Sequence, residues 1–132
     1  MQGKIEKFYH RDNHDVADFL IRLALAIVFI YHGWGKLHNM AGTVNFFGTL
    51  GLPVYFAYLV AFTEFLGGIM MLLGVWIRPV AWLFAAIMIG AIAFAKGSHG
   101  FAGYEFELTL LIASLAVAYL PVGKFSYRRL RG

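Results

Sequence analysis

Apolar and polar positions divide the chain into four long hydrophobic stretches separated by short polar connections. Each stretch approaches the length of about 20 apolar residues that a helix needs to cross the hydrocarbon core of a bilayer. The pattern predicts transmembrane helices at about 19–37, 53–76, 79–96 and 103–121. Because the connections are short, successive helices are expected to run antiparallel. The predicted fold is an all-α, integral membrane four-helix antiparallel bundle that forms a single domain over 1–132.

Polar residues concentrate outside the predicted spans. Residues 1–18 form a polar N-terminal segment, and residues 122–132 form a basic tail. The first connection, from Leu37 to Leu52, is longer than the others and mixes Phe and Leu with Gly and Thr. It is expected to be an interfacial or re-entrant segment or, alternatively, an ordered loop that caps the bundle. The first apolar stretch is longer than the core of a signal peptide, which predicts an uncleaved first span.

Lysine and arginine are unevenly divided between the two predicted sides of the membrane. One side contains Lys4, Lys7, Arg11, Arg22, Arg78, Lys124, Arg128, Arg129 and Arg131, and the other contains Lys36 and Lys96. Because an excess of Lys and Arg marks the cytoplasmic side, both termini are predicted to be cytoplasmic. With 61% hydrophobic and 14% charged residues, the main predicted partner is the lipid bilayer. The net charge of +4 then suits anionic lipid head groups and does not indicate nucleic acid binding.

Glu64 is the only charged residue between Pro53 and Ile77. An ionisable side chain this deep in a membrane is costly and by default indicates a functional site. The same helical face contains Ala57, Ala61, Gly68 and Met71, and small residues of this kind are typical of close packing between membrane helices. Glu64 is therefore predicted to face another helix and to pair either with Arg22 or with a polar group of the outer half.

Several polar residues fall at similar depth in that outer half. They are Tyr31, His32 and Lys36 on the first helix, Glu105 and Glu107 on the fourth, and His99 and Tyr104 near the third connection. Two residues apart on a helix, Glu105 and Glu107 point about 200° apart, so one is expected to face inward and the other outward. Arg22 is near the opposite end of the first helix. It is expected to extend toward lipid phosphates as a structural polar residue, and Glu107 is assigned to the same class.

The absence of cysteine excludes thiol–disulfide relay, thiolate metal sites and iron–sulfur ligation. His10 and His14 are four residues apart beside Asp12 and Asp15, but no third fixed ligand is evident, so they are interpreted as a solvated face. No metal site and no covalently bound cofactor are predicted.

Four short motifs resemble those of DoxX-type bacterial membrane proteins. They are "YHG..KL" at 31–37, "LGLP" at 50–53, "E..GG" at 64–68 and "GYE" at 103–105. The resemblance covers nearly all of 19–121 and implies a four-helix protein of the bacterial inner membrane. The family is similar to a subunit of thiosulfate:quinone oxidoreductase and is linked to oxidative-stress partners. Glu107 departs from the family pattern, which has an apolar residue or proline at that point.

Two main hypotheses for function follow. In the first, the outer-half cluster binds the head group of a quinone or a similar lipid-soluble molecule, and a soluble or membrane oxidoreductase partner supplies the substrate chemistry. His32 or Lys36 would donate to a quinone oxygen, Glu64 or Glu105 would transfer protons, and the ligand site would also include Tyr31, Tyr104 and His99. In the second, the protein is a non-catalytic membrane adaptor or assembly factor whose polar cluster only fixes helix packing.

Two further expectations concern assembly and transport. Ala86 and Gly90 on the third helix form a small-residue face that would suit a homo-oligomer. A pathway for protons or small solutes is a third functional hypothesis, although four short helices leave little room for a pore.

Overall fold

The computed structural model describes residues 1–127, apart from the side chains at positions 8 and 9. Within that range the chain forms α1 (Gln2–His38), α2 (Met40–Thr49), α3 (Val54–Leu73), α4 (Ile77–Ala91) and α5 (Phe101–Tyr119). A π-helical turn (Ile92–Lys96) and a 3-10 turn (Gly97–His99) extend α4. The same residues contain no β-strand. The all-α prediction is confirmed, while the predicted basic residues Arg128, Arg129 and Arg131 lie outside the described range.

Four helices of the described chain are long and apolar enough to cross a membrane. They are α1, α3, α4 with its extension, and α5. Helix α1 begins at Gln2, well before the predicted span 19–37, because the polar segment 1–18 belongs to the same helix. That segment contains no proline, and its single glycine is at position 3, so nothing in its sequence interrupts the helix.

The first connection folds into α2, a helix of ten residues. Asn39 ends α1 with φ −133° and ψ 65° and also caps the next helix. Its side-chain oxygen accepts a hydrogen bond from the Gly42 N–H at 3.2 Å, as an N-cap residue does. The alternative of an ordered loop is wrong, and the short helix covers the end of the bundle beside α3.

A tight turn joins α3 to α4, as predicted. Gly74 ends α3 in the left-handed conformation, with φ 77°, and its N–H donates to the Met70 carbonyl at 2.9 Å. Trp76, with φ 50°, is also left-handed and precedes the first residue of α4. Two left-handed residues reverse the chain within three positions, so α3 and α4 are antiparallel neighbours near this turn.

The core is formed by two helix pairs that meet at stacked phenylalanines. α1 packs mainly along α3, and α4 packs mainly along α5. Phe29 of α1 and Phe84 of α4 stack with ring centroids 3.7 Å apart and join the two pairs. Both rings are essentially inaccessible to solvent. The face of α3 predicted from its small residues is confirmed, since Ala57, Ala61 and Met71 are fully buried.

Arg22 is completely buried at the end of the bundle that contains both described termini. Its guanidinium donates to Asp18 Oδ2 at 3.0 Å, to the Met71 carbonyl at 2.9 Å and to the Phe125 carbonyl at 2.8 Å. The expectation that Arg22 extends toward lipid phosphates is wrong. The reason is that the C-terminal segment folds back over α1 and supplies buried acceptors that no helical pattern reveals.

Asp15 and Asp12 also hold this C-terminal segment. Asp15 is buried and accepts from the Lys124 backbone N–H at 3.0 Å, while Asp12 pairs with the Lys124 ammonium at 2.9 Å. The interpretation of residues around His10 and His14 as a fully solvated face is therefore wrong for Asp15. Among the residues that the structure describes, no group of three or more potential ligands could hold a metal ion.

Candidate functional site

The site begins with a close approach between α1 and α3 at Gly33. A Cβ atom at this position would lie 2.7 Å from Phe65 Cα and 2.9 Å from the carbonyl carbon of Glu64. Only glycine therefore permits this spacing. Glu64 immediately precedes Phe65 on α3, and Lys36 is three residues after Gly33 on α1. The close approach therefore places the side chains of Glu64 and Lys36 opposite each other.

Lys36 and Glu64 form an ion pair between α1 and α3, next to the close approach at Gly33. The Lys36 Nζ donates to Glu64 Oε2 at 2.7 Å. The Glu64 side chain is 4% exposed, whereas the Lys36 side chain is 27% exposed. Of the two partners predicted for Glu64, the structure selects the outer-half group, and Arg22 is bonded elsewhere.

The ion pair lies at the wall of a cavity of about 670 Å³. All five helices contribute to its lining, which is mostly apolar and includes Phe29, Phe47 and Phe56. A cavity of this size lined by apolar groups with a few polar ones is typical of a small-molecule site. Its polar lining consists of His32, Lys36, Thr63, Glu64, Lys96 and Glu107.

The cavity is bordered by side chains that face outward between α3 and α4. Leu59 on α3 and Leu83 on α4 both line it, yet they are 58% and 51% exposed. Near the Gly74 turn the same helices touch, since a Cβ at Gly67 would lie 2.8 Å from the Phe84 ring. Because these two exposed leucines line it, the cavity reaches the outer surface of the bundle between α3 and α4.

Small residues and a π turn shape the α4 side of the cavity. Ala86 and Gly90 line it and are not packed in the core. The π-helical turn that follows places Phe94 and Lys96 at the same wall. Interruptions of this kind often occur at functional sites. The small-residue face of the third predicted span, which was expected to suit a homo-oligomer, thus forms part of the cavity wall.

The two glutamates of α5 have different environments, as expected from their spacing. Glu107 is partly buried and lines the cavity, and its Oε2 atom is buried without a hydrogen-bond partner among the described residues. Glu105 is exposed and is not part of the cavity lining. Of the two alternative proton-transfer groups, Glu64 lines the cavity and Glu105 does not, and the glutamate of α5 that lines it is Glu107.

The remaining predicted ligand residues lie outside the cavity. Tyr31 is 75% exposed and packs its ring edge-on to His32. Tyr104 contacts Phe101, and His99 is an exposed residue of the 3-10 turn. Only His32 and Lys36 of the predicted ligand set line the cavity, and both also line a shallower groove between α1 and α2.

Sequence reasoning missed several residues that matter to the architecture. Asp18 is buried against Arg22, and their spacing of four residues on one helix is the signal that could have revealed this pair. Thr63 and Lys96 line the cavity, and Thr63 is next to Glu64 in sequence. Phe47 was placed only in a connection of undecided structure, and its position in the cavity lining depends on the fold of α2.

The fold and site define an integral membrane four-helix bundle with a side cavity and an ion pair at its wall. The DoxX family matches residues 17–97 of the chain. The chain therefore belongs to the DoxX family, as its motifs suggested.

Curated relatives extend the similarity beyond the matched family region. A Bacillus subtilis protein named "Putative oxidoreductase CatD" is 39% identical over 105 residues, which is 79% of this chain and 78% of that protein. The Escherichia coli "Inner membrane protein YqjF" is 33% identical over 88% of this chain and 92% of its own length. A third relative, "Inner membrane protein YphA" of Escherichia coli, is 32% identical over 54% of this chain and 52% of its own length. No solved structure matches the chain.

Proposed function

We propose that this DoxX-family membrane protein binds a quinone or a similar lipid-soluble molecule as the membrane subunit of a redox system. The observation that carries the proposal is the apolar cavity between α3 and α4, which has an ion pair at its wall and a border facing lipid. A ligand that partitions into hydrocarbon could enter such a cavity sideways without crossing water. The name of the Bacillus relative, "Putative oxidoreductase CatD", supports the same class of function.

Each polar side chain has a defined role in the proposal. The Lys36 ammonium has three N–H donors and uses one of them in the hydrogen bond to Glu64. It can therefore donate a second hydrogen bond to an oxygen of the head group. Glu64 holds Lys36 in place and exchanges protons, because quinone reduction consumes protons as well as electrons. His32 lines both the cavity and the outer groove and would connect this exchange to the aqueous side.

The described chain contains no group that carries electrons by itself, so the proposal includes an oxidoreductase partner, soluble or membrane-bound, that performs the substrate chemistry. A homo-oligomer is a further part of the proposal. Ala86 and Gly90 border the cavity, so the contact between copies would use the exposed apolar faces of the bundle instead.

The second candidate function is a non-catalytic adaptor or assembly factor. The observation that favours it is the Lys36–Glu64 bond itself, which joins α1 to α3 and would fix their register without any ligand. Interhelical polar contacts in membranes often have only this role.

Native mass spectrometry of protein extracted gently from its own membrane distinguishes the two functions. The first predicts a bound quinone that is lost in the double variant Lys36→Met/Glu64→Gln. The double variant removes both charges together, so neither is left buried without a partner. Lys124→Met, at the opposite end of the molecule, is the matched control and should keep the ligand. Wild-type protein that carries only phospholipid would support the adaptor function instead.

We also propose that both termini are cytoplasmic. The described termini lie at one end of the bundle, where Lys124 contacts Asp12 and Asp15. Of the lysines and arginines that the structure describes, most also lie at that end, which supports a cytoplasmic assignment. Because the chain has no cysteine, single cysteines at Gly3 and at Gly48, an exposed position of α2 between the first two predicted spans, can be tested in intact cells with an impermeant maleimide. Labelling of the Gly3 site before lysis would contradict the assignment, and labelling of the Gly48 site alone would support it.

A further inference from the structure

The cavity reaches the surface of the bundle between α3 and α4 at four apolar residues, which together form the lateral opening. Three of them, Leu59, Leu83 and Ala86, line the cavity and are exposed. The fourth, Gly90, lies one turn beyond Ala86 and also lines the cavity. A Cβ atom added at Gly90 would meet no neighbouring atom within 4 Å, so open space lies beside this position. Small residues on α4 therefore leave room at the lateral opening.

The lateral opening lies at the level of the middle of the membrane. Helix α4 and its extension form the candidate span Ile77–His99, which has 23 residues. At about 1.5 Å per residue, Leu83 and Gly90 are about 9 Å and about 20 Å along a span of about 33 Å. Because the hydrocarbon core is about 30 Å thick, the lateral opening is far from both layers of lipid head groups. A chemical group that occupies it must therefore be apolar.

The polar side chains of the lining mark a different part of the same cavity. Lys96 is six residues beyond Gly90, and Lys36 forms its ion pair with Glu64 at the wall between α1 and α3. A molecule that contacts both parts has a compact polar head and an apolar segment. The cavity of about 670 Å³ has the size of a site for one drug-sized body. A long chain attached to the head must therefore continue outside the cavity.

The charge of the lining restricts the class of head group. Its charged side chains are two lysines, Lys36 and Lys96, and two glutamates, Glu64 and Glu107, so their formal charges cancel. A phospholipid would have to bring its phosphate through the centre of the bilayer into this mostly apolar cavity, which is costly. A molecule with a neutral head and a single chain avoids that cost.

We propose that the ligand of this cavity has a neutral head group and a single long apolar chain, and that the chain leaves through the lateral opening into the centre of the bilayer. Ala86 and Gly90 are the residues that keep this route open, because their small size leaves space for the chain. This inference rests on the proposed function and specifies the substrate class and the residues that select it.

Native mass spectrometry of the full chain in detergent tests the route with two probes, decylubiquinone and the same quinone with hydrogen in place of the decyl chain. Wild-type protein should bind decylubiquinone more tightly. In Gly90→Leu the added side chain fills the lateral opening. The affinity for decylubiquinone should fall at least about tenfold, since failure to place about two methylene groups in apolar surroundings already has that effect. The affinity for the chain-free quinone should change less than about twofold.

A second variant and a control complete the test. Ala86→Trp fills the opening from a position one turn away and should have the same effect as Gly90→Leu. Ala116→Trp is the matched control, because Ala116 is an exposed alanine of α5 outside the cavity lining. It should keep the wild-type affinity for both quinones.

The outcomes separate this inference from the proposed function. Unchanged affinity of both variants for decylubiquinone, or an equal loss of both quinones, would overturn the lateral route and leave quinone binding intact. Equal affinity of the wild-type protein for the two quinones would do the same. Wild-type protein that binds neither quinone would overturn both proposals. The melting temperatures of Gly90→Leu and Ala86→Trp should match that of Ala116→Trp. A large drop in both would mean that the opening is packed within the fold, which also overturns the inference.

Discussion

Replacing Arg22 with methionine would remove the guanidinium that connects α1, the end of α3 and the C-terminal segment. The side chain is buried completely, and Asp18, its ion-pair partner, is 2% exposed on its side chain. Methionine retains most of the aliphatic volume, so the change mainly removes the charge and its hydrogen bonds. What is left is a buried carboxylate without a counter-ion and two carbonyls, of Met71 and Phe125, that have lost their donor.

The expected loss of stability follows from these contacts. Orphaning one member of a buried ion pair typically costs about 3–5 kcal/mol. An orphaned aspartate can instead bind a proton, which at pH 7 costs about 4 kcal/mol at about 1.4 kcal/mol per pH unit. Protonation therefore limits the loss of stability caused by the carboxylate to about 4 kcal/mol, and this loss is smaller at lower pH. The loss of donors to the two carbonyls adds about 1 kcal/mol or more.

Reversible unfolding in mixed micelles, followed by helical circular dichroism, measures the free energy of unfolding of each variant. Arg78→Met is the control, because Arg78 is exposed at the start of α4. Adding Asp18→Asn to Arg22→Met should recover part of the loss, since it removes the orphaned charge. The reasoning would be refuted if Arg22→Met were as stable as the control, or if Asp18→Asn made it worse.

Three further changes test the contacts around the site by the same unfolding assay. Glu64→Gln should lower stability by less than about 1.5 kcal/mol, because glutamine can still accept from the partly exposed Lys36, and a loss of 3 kcal/mol or more would identify a purely structural pair. Gly33→Ala should cost about 1–3 kcal/mol by forcing α1 away from α3, whereas Gly35→Ala, with open space around it, should be neutral or slightly stabilising. Lys124→Met should cost less than about 1 kcal/mol because its ion pair is exposed to solvent.

The sequence allowed the helical face of Glu64 to be predicted because period and residue size are local properties. Ala57, Ala61 and Met71 recur at helical spacing and are buried as expected. The divergence of Glu105 and Glu107 was likewise fixed by the geometry of one helix. The sequence could not decide whether Glu105 or Glu107 points toward the cavity, because that choice depends on the rotation of α5 against its neighbours.

Residues distant in sequence account for most of the incorrect expectations. Arg22 resembles a basic residue near the end of a membrane span, and that local view favours lipid phosphates. Besides Asp18 on the same helix, its acceptors are the carbonyls at positions 71 and 125, which only the folded chain brings near it. Ala86 and Gly90 form a small-residue face when α4 is considered alone, but they line a cavity whose other walls come from residues distant in the sequence.

By itself the sequence determined the membrane class, the number of candidate spans and the family, because hydrophobic length, helical period and short motifs are encoded along the chain. The tertiary structure decided the partner of Glu64, the inward position of Glu107 and the burial of Arg22. It also decided that a cavity exists at all. These features depend on how helices rotate, cross and diverge, and such relations are set by packing between segments that are far apart in the sequence.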